Sequence, residues 1–498
     1  MAQRVQGTED LFGGYMRAWQ HMQDVARDLF GAYGFDMVET PAIEQVDTFV
    51  HGIGESTDVV RKEMFRVVSG ALFENLLEQG SEAGLKPKQR LAMRPEGTAG
   101  VVRAAVENNM VPQGAAPAKL WYAEAMFRGE RPQKGRLRQF HQVGVEWLGA
   151  ADPAADAECI IMLMEYYKRL GFDLSRLKLS INSMGDAACR PAYREKVRQF
   201  ILDHADEMCE DCLERAEINP LRSFDCKNDH CREVMRDAPL AKDNLCDDCA
   251  EHYAQVKRYL DAAGVAYVED PTLVRGLDYY TRTVFEVEAV DGGVGAIGGG
   301  GRYDGLMELE GGKPTPGIGF AVGFERIALA LAAQGGSLET PQPGCVYVAG
   351  TSADEREAVV LGYACAASGG RAYRGRLPGP FAQEPVQAGR QARGACLCGH
   401  WARRGGGQRR DPSRYGDARA DPGSRCRACL CGDCASGEVA RLRRISWLVR
   451  LCPPASTGAG GTVLLVRQRL SALSRALPQR IAPFLNDSHV SLGCENQL

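Results

Sequence analysis

No stretch of the 498-residue sequence runs to eighteen apolar residues, and its first twenty, MAQRVQGTEDLFGGYMRAWQ, hold no apolar signal core. The expectation is a protein of the cytoplasm that makes no membrane contact. Charge of one sign is lacking as well, since 60 Lys+Arg stand against 64 Asp+Glu for a net −4. Bulk charge thus points to no polyanionic partner, although a local basic patch would serve one. A nucleotide-loop signature is also missing. The glycines of GAIGGGGRYDG (295–305) have neither dinucleotide spacing nor a terminal Lys-Ser/Thr, so four in a row read as close backbone approach or a bulge. Strand and helix do not alternate strictly over the first 335 residues. That excludes a doubly wound fold and predicts an α+β protein, with a mixed, mostly antiparallel sheet flanked by helices.

The pattern that is present supports this layout. Apolar spacing predicts a helix over 14–33 that ends at Gly34. Two strand-like runs, about 119–128 and 138–148, joined by a charged turn, predict an antiparallel hairpin. DAECIIMLMEYYKRLGF predicts a helix from Asp156 to Gly171, followed by a strand over 176–182. Residues 187–265 read as a helical, cysteine-bearing insertion. Strands follow at 282–290 and 294–299, and GIGFAVGFERIALALAA reads as a strand entering a helix. QPGCVYVAG (342–350) opens a separate domain.

Four segments carry chemistry: MRPEGT (93–98), MFRGERPQKGRLRQFHQVGVEW (126–147), LVRGLDYYTRTVFE (273–286) and GIGFAVGFERI (317–327). Each sets arginine and carboxylate in apolar, strand-like surroundings, where neither is buried without a partner. Arg275, Asp278, Tyr279 and Tyr280 at the mouth of a strand suit a small zwitterion carrying phosphate. Arg128, Arg136 and Arg138 have forks that match phosphate or carboxylate, or they form a solvated charge run on the hairpin. His141 reads as a structural hydrogen bonder. Gln142 and Glu146 stand out as isolated polar residues in an apolar run.

GFDMVETP resembles motif 1 of the class II aminoacyl-tRNA synthetases, FRGERPQKGRLRQFHQ resembles motif 2, and GIGFAVGFERI motif 3. LVRGLDYYTRTVFE and GGGGRYDGL are similar to the two histidine-specific motifs of the histidyl-tRNA synthetases. The resemblance covers about residues 1–360. It implies a class II catalytic core over 1–335, a homodimer formed through motif 1, and L-histidine, ATP with Mg²⁺, and tRNA(His) as substrates and partners. Glu96, Gly97, Thr98 and Gln142 would receive the histidine α-amino group. Glu146 and Tyr279 would read the imidazole, with Tyr280 shaping the pocket. Arg275 and Arg128 would flank the α-phosphate as the catalytic pair. Glu130, Arg136 and Arg326 would join Arg128 in holding ATP. A second reading is a histidine-sensing regulatory subunit of ATP phosphoribosyltransferase. Such proteins typically lack the insertion and the ATP-site arginines, and this chain has both.

CEDC (209–212), CKNDHC (226–231) and CDDC (246–249) place six cysteines close together. Zinc held by Cys209, Cys212, Cys246 and Cys249 is one expectation; in a variant of it Cys226 and Cys231 join one of the pairs. Reduced thiols without metal, or disulfides, are the alternatives. Past Leu361 the composition shifts to Gly, Arg, Ala and Pro. Residues 342–361 read as the start of an α/β anticodon-binding domain, and 362–498 as an aberrant, disordered tail. GRLPGPFAQEPVQAGRQARG (375–394) is codon-compatible, one frame over, with VDYQGRSLKSQFKQADKLGA, and the family's last domain should contain a GRSLKxQxKxA helix. DPSRYGDAR is likewise compatible with TLRDMATHE. The expectation is a single-base shift between about Glu357 and Gly369. It would leave the strand at 342–350 without sheet partners.

Overall fold

Apolar side chains three or four apart build the first helix. α1 (Gly13–Ala32) buries Ala18, Trp19, Met22, Ala26, Leu29 and Phe30 along one face. It stops where Gly34 takes φ +81°, a turn in which the Phe35 amide donates to the Phe30 carbonyl at 2.9 Å. In this computed structural model the described residues are 2–55, 57–79, 85–112 and 114–340, with three short strands beyond. Residues Met1–Thr340 form one unit and Pro341–Leu498 another.

β1 (Asp36–Met37) follows α1. A small antiparallel sheet then forms from β2 (Ile43–Gln45), β3 (Arg66–Val67) and β4 (Leu91–Met93), with β4 in the middle. Around it lie α2 (Val46–Ile53), α3 (Gly70–Gln79) and α4 (Thr98–Glu107). β5 (Ala118–Phe127) and β6 (Gln139–Leu148) make the expected hairpin, paired from Ala118↔Leu148 to Phe127↔Gln139. Next come α5 (Pro153–Arg169), β7 (Leu177–Ser183), α6 (Arg190–Asp203), α7 (Glu210–Ile218), α8 (Asp229–Val234) and α9 (Asp247–Ala262). β8 (Val268–Glu269), β9 (Thr281–Ala289), β10 (Ala296–Arg302), α10 (Leu306–Leu309), β11 (Gly317–Gly323) and α11 (Phe324–Ala333) complete the unit.

The large sheet has eight strands in the order β1-β5-β6-β11-β10-β9-β7-β8. Its pairs are antiparallel except at the two edges, where β1 runs parallel to β5 and β7 to β8. It is therefore the mixed, mostly antiparallel sheet expected. Residues of α1, α5, α9 and α11 share one buried apolar cluster with the sheet. Gly298–Gly301 lie on β10 in its interior. A Cβ on Gly301 would come within 2.6 Å of the Thr283 carbonyl, and one on Gly300 would strike the Gly319 carbonyl. The register also shifts between Ala296 and Gly298 and between Gly301 and Arg302, so close approach and bulge are both present.

Three boundaries differ from expectation. α5 begins at Pro153, because Asp152 caps it by accepting from the Ala154 amide at 2.8 Å. Asp156 sits inside the helix, fully buried, and bonds Arg302 Nε at 3.0 Å and His252 Nε2 at 2.7 Å. The segment 187–265 divides: Tyr193, Val197 and Cys212 pack in a second apolar cluster, whereas Tyr253, Val256 and Leu260 of α9 enter the main core. In the second unit β12 (Cys345–Ala349) does have partners. β13 (Ala372–Arg376) pairs with it in parallel and β14 (Leu448–Leu451) antiparallel, since backbone pairing needs only extended chain. The rest of the domain start at 342–361 and of the 362–498 tail lies outside the described residues. Among the described residues no helix is long and apolar enough to cross a membrane.

Candidate active site

One cavity gathers side chains from four distant segments. Glu96, Thr98, Arg128, Gln142, Arg275, Tyr279 and Tyr280 all line it. Glu96 stands just before α4, and its carboxylate accepts from the Thr98 amide at 2.9 Å and the Ala99 amide at 2.8 Å. Burial pushes its pKa up, and those two amide bonds offset part of the rise. The Tyr279 hydroxyl donates to the same carboxylate at 3.4 Å, and its ring lies 4.6 Å from that of Tyr280. Gly97 plays a different part. A Cβ there would strike the Tyr122 ring, as would one on Gly144, so the two glycines make the slot in which Tyr122 lies.

Glu146 does not itself line the cavity; it lies buried directly behind Thr98 and Tyr303, which do. β6 carries it opposite Gly319 of β11, where any Cβ would strike its carboxylate, so the glycine makes its room. Thr98 Oγ1 donates to it at 2.7 Å, and the Tyr303 hydroxyl donates to its other oxygen. Burial raises its pKa to about 8, with the Tyr303 and Thr98 hydroxyls acting in the opposite direction. Two buried polar atoms at the cavity, Gln142 Oε1 and Arg275 Nε, lack protein partners. Buried polar atoms are nearly always paired in folded proteins, so these mark places for ligand atoms.

Arg275 lies on the loop before β9 and is ion-paired with Glu286 of that strand. Its guanidinium stands 5.8 Å from the Tyr280 ring centroid. The loop is braced from behind. Asn219 Nδ2 donates to Asp278 at 2.7 Å, and Arg222 donates to the carbonyls of Arg275 at 3.1 Å and Gly276 at 2.9 Å. Arg128 donates to the Pro95 carbonyl at 2.9 Å and lies 5.1 Å from the Phe140 ring. Farther along the hairpin, Glu130 and Arg136 pair at 3.7 Å. Arg326 bonds the Gly135 carbonyl at 3.1 Å and that of Ala296 at 2.8 Å. Burial, then the guanidiniums of Arg136 and Arg128, hold its pKa below the usual value. Crowded cations of this kind suit a polyphosphate. His141 bonds Glu325 at 2.9 Å, the structural role expected of it.

Tyr303, Tyr122 and Glu286 were not among the expected site residues. Tyr303 and Glu286 lie inside quoted motifs, but a tyrosine or an alternating strand glutamate reads equally as packing or a surface charge. Of the two cysteine arrangements expected, the first needs correction and the second, with Cys226 and Cys231 joining one pair, is the one found. Cys209 and Cys212 do not share a centre with Cys246 and Cys249: the first pair meets Cys226 and Cys231, and the second meets Asp186 and Cys189. The reason is that α9, which carries Cys249, packs on the main core, whereas Cys212 belongs to the second apolar cluster.

The family described as Histidyl-tRNA synthetase matches residues 84–327. A histidine–tRNA ligase of Desulforudis audaxviator is 45% identical over 379 residues, 75% of this chain and 85% of that protein. A histidine–tRNA ligase of Moorella thermoacetica is 45% identical over 361 residues, 71% of this chain and 80% of that protein. The crystal structure of apo S. aureus histidyl-tRNA synthetase is similar at 33% identity and a TM-score of 0.60, covering 78% of this chain and 89% of that one.

Proposed function

The chain belongs to the histidyl-tRNA synthetase family, ATP-using ligases of histidine and tRNA, and from that premise we propose how its cavity activates histidine. Glu96, Thr98 and Gln142 receive the α-amino group, with Gly97 keeping Tyr122 in its slot. Glu146 and Tyr279 read the imidazole beside Tyr280. Arg275 and Arg128 stand on either side of the α-phosphate. There they reduce the repulsion between the attacking carboxylate and the phosphate and stabilise charge as it develops. Arginine keeps its proton throughout, so the step needs no tuned base. Arg136 and Arg326 hold the outer phosphates, with Glu130 beside them. Mg²⁺ fits as an ion carried on the phosphates, with Glu130 the carboxylate on that side, since its pairing with Arg136 is long at 3.7 Å. When bound it would neutralise charge on the departing pyrophosphate. The observation that carries the reading is one cavity lined by Glu96, Gln142, Arg275 and Tyr279, brought together from three separate segments. Histidine-dependent exchange of pyrophosphate into ATP tests it, and exchange driven equally by another amino acid would sink it.

The regulatory alternative is less supported, because the chain keeps the insertion together with Arg128, Arg136, Arg275 and Arg326. Within this reading the chain works in the cytoplasm as a homodimer, formed through the motif 1 region. Residues 1–335 serve as the catalytic core and 187–265 as the insertion. Residues 342–361 begin an anticodon-binding domain, and 362–498 are read out of frame. On this view histidine activation survives, while charging of tRNA(His) is weakened by lost anticodon contacts. The gene's nucleotides between the codons for Glu357 and Gly369 decide the point. A frame with no family-like sequence one base over would refute it. Zinc has no part in the chemistry and belongs with the cysteine clusters.

A further inference from the structure

We propose that Cys209, Cys212, Cys226 and Cys231 hold one Zn²⁺ ion, which fixes the turn that braces the Arg275 loop. The four sulfurs all lie within 4.8 Å of one another, and Cys212, Cys226 and Cys231 are buried. Cys209 Sγ and Cys226 Sγ are 3.8 Å apart. That is far beyond a disulfide bond. It is the edge of a tetrahedron whose Zn–S bonds are about 2.3 Å. Backbone amides already point at the sulfurs, from Cys209 to Cys231 Sγ at 3.2 Å and from Asn228 to Cys226 Sγ at 3.5 Å. Such bonds stabilise thiolate ligands and fix their direction. The other cluster is less suited, because its Asp186 carboxylate is taken by Arg282 at 3.0 Å and the Ala188 amide at 3.0 Å.

The position gives the ion its consequence. Asn219 and Arg222, which hold Asp278 and the carbonyls of Arg275 and Gly276, lie between Cys212 and Cys226 in the chain. Metal on both flanks closes that segment into a loop of fixed shape, and the fixed shape sets where Arg275 stands. The catalytic effect rests on the reading of Arg275 above; the metal site does not.

The test uses the full chain, because the tail has cysteines of its own. Site-resolved alkylation with mass spectrometry should find these four thiols protected, and reacting at least about tenfold faster once a chelator has removed the ion. Metal analysis should find about one zinc equivalent fewer in Cys226→Ser than in the unaltered chain. With the chelator removed and Mg²⁺ supplied in excess, the zinc-stripped chain should still catalyse histidine-dependent exchange about 100-fold more slowly, the cost of an ångström-scale misplacement, and added Zn²⁺ should restore it. Alkylation indifferent to chelator overturns the site even if Cys226→Ser does not fold. Protected thiols with exchange unchanged by zinc removal overturn the bracing. No exchange in any form would instead overturn the reading of the active site, with the metal decided by the thiols alone.

Discussion

Replacing Tyr303 by Phe should move histidine recognition along the pH axis and leave the chemical step alone. Glu146 is 1% exposed, and burial lifts its pKa to about 8 even with Tyr303 and Thr98 donating to it. A hydrogen bond to a charged group contributes roughly 1.5–3 kcal/mol. At about 1.4 kcal/mol per pKa unit, losing the Tyr303 hydroxyl raises the Glu146 value by about one to two units. At pH 7 about a tenth of free sites then carry an ionised Glu146 in the unaltered chain, against about a hundredth or less in Tyr303→Phe. Only the ionised carboxylate accepts the imidazole N–H without donating a proton of its own. Apparent affinity scales with the competent fraction, so the histidine KM should rise about tenfold or more at pH 7. The two KM values should converge as the pH passes the variant's higher pKa. The assay is pyrophosphate exchange across a pH series, read as the ratio of the two KM values, which cancels the titration of histidine itself. A ratio constant with pH, or a fall in kcat at unchanged KM, would refute the reasoning.

Arg275→Ala should lower kcat of exchange about 10²–10³-fold with little change in histidine KM, as expected for a cation that acts on developing charge. A rise in KM alone would count against that role. Asp156→Ala should cost roughly 3–5 kcal/mol in denaturant unfolding, because it strands a fully buried Arg302; a loss under 1 kcal/mol would contradict the buried pair. Glu146 and Glu310 are both raised from 4.5 to about 8, chiefly by burial. An acid raised on folding contributes stability that is complete below its unfolded pKa and lost as pH climbs through the folded one. The ligand-free chain should therefore melt lower at pH 9 than at pH 6, and Glu310→Gln should flatten that slope. A melting temperature flat between those values would show that the two groups ionise at no cost to the fold.

Much of the candidate site can be read from the sequence. Gln142 and Glu146 interrupt an apolar strand at spacing four, which puts both on one face, and no ordinary core needs them there. The hairpin was legible from alternation alone, to within a residue at each end. The spacing places the start of the helix over 153–169 too late because Asp156 is polar, and its burial is accounted for by partners far along the chain, Arg302 at 146 positions and His252 at 96. Tyr303 and Tyr122 gave no distinct signal, since a tyrosine in a glycine-rich or apolar strand segment is common in cores.

The sequence by itself determined the residue types of the site, the family they resemble and the alternation that builds the central sheet, because these depend on local spacing. Tertiary structure decided which groups share a neighbourhood. It put Tyr303 on Glu146, Glu286 on Arg275, Asn219 behind Asp278 and Cys226 with Cys209 instead of Cys246 with Cys209. The physical reason is common to all four. Each contact joins separate elements and is set by how α7, α9, β9 and β10 pack, and no spacing along the chain encodes that.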